Sequence, residues 1–214
     1  MPGGAEPGTV RPGGRTARVR EAVLRATEDA LTQLGFARLD LTDVARRAGV
    51  GKTTVYRRWG TVTGLVADLL LDMAEQSVPR TETGSLLGDL KANARLVQRT
   101  LTDPRQGPLF KALITGAACD AKAAEALHRF YAARIAEWAP CVEQAVARGE
   151  VPAGTDAREV VRAVSAPLYY RLLISGDPLD EAAADRAAEA AATAARAGAY
   201  VPVRAGGEEF PQPR

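Results

Sequence analysis

Residues 48–57 read AGVGKTTVYR and set Gly49, Gly51, Lys52, Thr53 and Thr54 where a phosphate can be held. Free backbone N–H groups and the positive end of the dipole converge at a helix start, and a lysine with two hydroxyls strengthens that anion site. Two phosphates suit it, one on a nucleotide and one on a DNA backbone, and they demand different surroundings. A nucleotide loop needs glycine at the head of G-x-x-x-x-G-K-[ST] and a buried strand before it. Counting back from Gly51 puts Arg46 at that head, and the preceding LTDVARRA has Val44 and Ala48 on one helical face. Both features argue against an enzyme acting on a nucleotide, and an ATP or GTP titration tests that reading directly.

A DNA backbone accounts for more of the residues. Thr42 is expected to cap a short helix with Asp43 in its first turn, and Gly49 to end it. The turn Gly49–Gly51 then leads into a helix over Lys52–Trp59. Two short helices joined by a glycine-containing turn form a helix-turn-helix. At roughly 100° per residue, Val55 and Trp59 share the inward face. Thr53, Thr54 and Arg57 then face outward, with Tyr56 on one flank and Arg58 on the other. The major groove is about 12 Å wide and admits such a helix, so those three outward residues are the candidate base readers. A cation in the first turn opposes the dipole by about 0.3–1 kcal/mol unless an anion lies near. Lys52 is therefore expected to meet a backbone phosphate, with Thr42 and Tyr56 beside it. Arg46 and Arg47 are expected to be solvated.

The stretch LTDVARRAGVGKTTVYRRW also resembles the DNA-binding domain of the TetR family of bacterial transcriptional regulators. The likeness rests on Ala45, Gly49-Val50, Val55-Tyr56 and the aromatic Trp59, and it covers roughly residues 15–71. It implies an all-helical homodimer with a three-helix reader, a connecting fourth helix, and a C-terminal domain that binds a small effector and forms the dimer. By motif position, the family's DNA contacts fall on Thr42, Lys52, Thr53, Thr54 and Tyr56. One departure stands out: Val62 occupies a position where family members often carry a phosphate-touching lysine. That leaves Thr61 or Thr63 as weaker contacts, and shifts the burden to Lys52 and to first-helix residues such as Arg15, Arg18 or Arg20.

The chain around this segment must position it. Apolar residues form 46% of the 214, aromatics only 5%, and apolar positions recur at helical spacings almost throughout, so an all-α fold of about nine helices is expected. Val19, Val23, Ala26, Ala30 and Leu34 make the first stripe, closed by Gly35. Later helices are expected near residues 63–76, 86–101, 107–118, 121–148, 157–175 and 180–197. Pro140 should kink or interrupt the fourth of these near Trp138, and Pro167 should bend the next, which opens on an Asp156/Glu159 reciprocal cap. The expected organisation is a disordered tail (1–14), the helix-turn-helix domain (15–62), a helical effector-binding and dimerisation domain (63–198) and a C-terminal tail (199–214).

Charge is asymmetric as well. Residues 1–60 carry 11 Lys and Arg against 6 Asp and Glu, whereas the remainder carries 17 against 20. A basic leading end suits a phosphate partner. Cys119 and Cys141 are expected to be buried reduced thiols in a cytoplasmic protein. His128 is the sole histidine, which argues against a histidine metal site or triad, and no metal, cofactor or catalytic residue is assigned.

Further along, Val160, Val161, Val164, Leu168 and Leu172 form a stripe expected at the dimer interface. Phe110, Leu113, Phe130, Tyr131, Trp138, Tyr169 and Tyr170 could line an effector pocket, where few ionisable residues favour an apolar or neutral ligand. The function these features support is a dimeric DNA-binding regulator, a repressor released from a palindromic operator by a small molecule. The alternative is a ligand-independent DNA-binding regulator.

Overall fold

The computed structural model describes residues 12–77 and 79–202. Among them lie α1 (Pro12–Leu34), α2 (Leu41–Ala48), α3 (Lys52–Trp59), α4 (Val62–Glu75), α5 (Leu86–Thr102), α6 (Gln106–Cys119), α7 (Ala121–Ala147), α8 (Ala157–Tyr170) and α9 (Glu181–Arg196). No strand occurs among the described residues. Two compact units form, one from residues 12–77 with 104–130, the other from 79–103 with 131–202.

In the first unit α1 begins at Pro12, ahead of the expected start at Arg15 or Thr16. Proline suits a first turn, because the N–H it lacks would have no helical partner there. The expected tail residues 1–11 and 203–214 lie outside the described residues. Val23, Ala26, Ala30 and Leu31 are buried along α1, while Val19 and Leu34 at the ends of the stripe are half-buried. Burying a Val or Leu side chain stabilises by about 1.5–3 kcal/mol, so this stripe anchors the helices packed on it.

The cap of α2 is Asp40, not Thr42. The helix starts two residues earlier than the threonine reading required, and the Asp40 carboxylate accepts from the N–H of Thr42 (2.9 Å) and of Asp43 (3.0 Å). The Thr42 hydroxyl is thereby released for other work. At the far end Gly49 adopts φ 65°, a left-handed conformation that costs glycine nothing, and the Val50 N–H returns to the Ala45 carbonyl at 3.0 Å. This closure sets the sharp turn into α3. Thr61 caps α4 by accepting from the Gly64 N–H at 3.0 Å.

A second close approach fixes α6. A Cβ on Gly116 would stand 2.4 Å from the ring of Phe36, so only glycine lets α6 lie against the 3-10 turn at Phe36–Arg38. At the other end of the helix, Arg105 reaches Glu28 (3.0 Å) and Asp29 (2.9 Å) on α1.

The second unit is built on α5, α8 and α9. Val160, Val161, Val164 and Leu168 on α8 are buried within the chain itself, as are Leu86, Leu90 and Ala94 on α5 and Ala184, Ala188 and Ala192 on α9. This corrects the expectation that the α8 stripe lines a dimer interface: four of its five residues already form monomer core, and Leu172 is half-buried. Alanines on α9 let the three helices approach closely. Arg95 locks α5 to α9 through a two-pronged pair with Asp185 (2.7 and 2.8 Å).

Other details differ from expectation. Helix α7 runs unbroken through Pro140, with Trp138, Ala139, Cys141 and Val142 buried around the proline. The helix is not interrupted there, although proline removes one backbone bond. Helix α8 gives way after Tyr170 to a π-turn at Arg171–Ser175, whose wide closure runs from the Gly176 N–H to the Arg171 carbonyl at 3.0 Å. Asp156 does cap α8, but Glu159 pairs with Arg162 and the Asp156 N–H goes to the Tyr200 carbonyl, so the reciprocal half is absent. Of the thiols, Cys141 is buried and pushed up to about 12 by that burial, whereas Cys119 sits exposed at the last turn of α6, contrary to expectation.

Candidate nucleic-acid interface

Helix α3 has only two turns, and only Val55 and Trp59 of its eight residues are buried. The rest of its circumference faces outward. Lys52, Thr53, Tyr56, Arg57 and Arg58 are exposed, and Thr54 is half-buried. No side chain caps the helix, since Gly51 has none to offer, so its first turn presents backbone donors together with the Lys52 ammonium.

Around that turn three of the sequence candidates converge. The Thr42 hydroxyl lies 3.4 Å from the Tyr56 hydroxyl, bridging the first turn of α2 to the flank of α3. The Lys52 ammonium sits over the Tyr56 ring, 5.9 Å from its centre. A phenol, a hydroxyl and a cation thus form one polar cluster at the entrance to α3. Thr53 and Arg57, one turn apart, occupy the exposed face beyond it.

The neighbouring arginines have different tasks. Arg46 (2.5 Å) and Arg47 (2.6 Å) both pair with Asp43, and hydrogen bonds from Arg47 and then Arg46 hold its carboxyl below the usual range. Arg47 also reaches Gln33 on α1 at 2.7 Å, so it fastens α2 rather than waiting in solvent. Arg58 lies over its own neighbour, 5.1 Å from the centre of the Trp59 ring. Arg20, an expected phosphate contact, is instead taken up by Asp68 and Asp72 of α4. Arg18 is exposed on α1, and the Arg15 side chain lies outside the described residues. Val62 is half-buried at the start of α4, and the Thr61 hydroxyl is occupied in capping.

A short, exposed, positively led helix behind a glycine turn is the geometry of a DNA-reading head, and the comparisons agree. Residues 23–69 match the model of bacterial regulatory proteins of the tetR family, and residues 80–191 match the tetracyclin repressor-like C-terminal domain. The second match alone spans more than half of the chain. The protein is a member of the TetR family.

Its relatives include the uncharacterized HTH-type transcriptional regulator YdeS of Bacillus subtilis, 32% identical over 162 residues, which cover 75% of this chain and 81% of that protein. The HTH-type transcriptional regulator AqdR of Rhodococcus erythropolis is 39% identical over 150 residues, covering 69% and 70%. Among solved structures, the TetR family transcription regulator SCO0332 superposes with a TM-score of 0.66 at 30% identity, covering 82% of this chain and 97% of that one. The TetR-family assignment makes this chain a helix-turn-helix transcriptional regulator and not an enzyme. Regulators of this family bind DNA operators and function as dimers.

The residues expected to line an effector pocket fall in both units. Phe110, Leu113 and Phe130 are buried in the first, with the two phenyl rings 5.8 Å apart. Trp138 is buried in the second, and Tyr131 and Tyr169 meet there edge to face at 5.6 Å, with the Tyr169 phenol pushed up to about 12 by burial. Tyr170, one residue further round α8, is exposed and lines nothing internal. Arg134, which composition alone did not single out, lies half-buried near Tyr169, and burial lowers its pKa. No helix among the described residues is long and apolar enough to cross a membrane.

Proposed function

We propose that the protein is a homodimeric repressor that reads a palindromic operator through α3 and leaves it when a small molecule binds the second unit. The observation that carries this reading is the exposed α3 surface: Thr53 and Arg57 face outward for base edges, beside the Thr42, Lys52 and Tyr56 cluster for a backbone phosphate. One two-turn helix reads too few bases to be selective. Two copies held so that their helices enter successive major grooves, about 34–36 Å apart, supply the rest.

The sealed α8 stripe moves the dimer contact to the outer side of the same helices. Ala166 and Tyr170 on α8, Leu173 and Ile174 on the π-turn, and Ala182 and Ala190 on α9 are exposed there. Repression follows the tetracyclin repressor-like character of residues 80–191. Tyr131, Trp138 and Tyr169 are the proposed effector contacts in the second unit. A ligand shifts the head spacing only by its differential affinity for the two states. Such a regulator works in the bacterial cytoplasm, where the DNA is.

Selection of genomic fragments with the purified full-length protein, repeated with candidate compounds, tests the reading. A recovered inverted repeat bound by two copies, and released by a compound, is the expected result. A strictly monomeric particle that ignores duplex DNA at low salt would overturn it.

A further inference from the structure

Asp68 stands inside the apolar run LVADLLLD on α4, where a carboxylate needs a reason. It joins three helices. Arg20 of α1 donates to it through Nε (3.1 Å to each oxygen) and through a terminal guanidinium nitrogen (2.8 Å), while Trp59 of α3 donates its indole N–H at 2.9 Å. The other terminal guanidinium nitrogen of Arg20 reaches Asp72 at 2.5 Å, one helical turn further along α4. Burial raises the Asp68 pKa, but the hydrogen bonds from Arg20 and Trp59 more than offset it, and the carboxyl stays below its usual range.

The consequence lies in α3. A helix with only two buried residues has few anchors, and Trp59 is by far the larger. The hydrogen bond to Asp68 ties the edge of the buried indole ring to α4, so the ring is held by a directed bond as well as by packing. Arg58 rests on that ring, so its direction follows as well. Thr53 and Arg57 are on the same rigid two-turn rod.

We infer that Asp68 is a positioning residue for sequence recognition: by holding the Trp59 indole against α4 and Arg20 of α1, it sets the orientation at which α3 presents its readers. It touches no DNA. The inference rests on the reading of α3 as the recognition helix. Base readout needs hydrogen-bond geometry held closely, whereas phosphate attraction tolerates a loosened rod.

The experiment uses full-length protein and two probes: a duplex that the wild type selects from a random-sequence library, and a scrambled duplex of equal length. For Asp68→Asn, and more mildly for Trp59→Phe, the preference for the selected duplex should fall, by about fivefold or more for the first, as expected when a shared hydrogen-bond network is cut. Affinity for the scrambled duplex and its salt slope should stay unchanged. Adding Trp59→Phe to Asp68→Asn should cost little further preference, because both act on the same Trp59–Asp68 link. Partial unfolding lowers both affinities together and leaves their ratio intact, so the ratio isolates positioning. A preference unchanged within twofold in both variants, whatever happens to total affinity, would overturn the inference. A wild type that selects no duplex would instead refute the reading of α3 itself.

Discussion

The exposed face of α3 and the apolar stripe of α8 carry equally regular patterns, yet the fold treats them in opposite ways. On α8, Val160, Val164 and Leu168 are closed off by α5 and α9 of the same chain. On α3, Thr53 and Arg57 are left in solvent, and Lys52 leads a helix without a side-chain cap. Periodicity says which residues share a face. Whether that face is already partnered depends on what the rest of the chain brings to it. The α8 stripe is therefore a stability feature and the α3 face a recognition feature, and substitutions should separate the two.

The largest effect belongs to the closed stripe. Leu168→Ala empties space among buried neighbours and should lower stability by about 2–5 kcal/mol in urea unfolding, while each molecule that remains folded binds DNA normally. Loss of sequence preference without loss of stability would erase the distinction. Next comes Arg57→Ala, which should leave stability unchanged and relax discrimination at particular base pairs by about 1–3 kcal/mol, read from competition among single-site variants of the selected duplex. Lys52→Ala should weaken binding alike on every sequence and reduce the salt slope by about one.

The smallest and most diagnostic change adds a group. Val62→Lys places a cation at the start of α4, where family members often have one, and should raise affinity for selected and scrambled duplexes together while steepening the salt slope by about one. Unchanged affinity and slope would show that position 62 lies off the phosphate path.

Local chemistry made much of this legible in advance. Gly49 with φ 65° ends α2 where a glycine was needed, and Val55 with Trp59 set the inward face of α3 from spacing alone. Cap choice was harder, because Asp40 and Thr42 are both good caps two residues apart and only the backbone decides which precedes the first helical residue. Long-range partners left the weakest trace. Nothing local says that Arg20 meets Asp68 forty-eight residues away, although an aspartate in an apolar run and an indole N–H at the end of a short helix each signal an unmet need. Pro140 is similar: a residue that breaks helices locally does not interrupt α7, where Trp138 and Val142 are buried on either side of it.

One measurement tests the central claim most directly: the base preferences of wild-type and Arg57→Ala protein, compared position by position on the same selected duplex. The account predicts that preference relaxes at one symmetry-related pair of positions and persists elsewhere. Equal weakening at every position, or an unaltered profile, would contradict it.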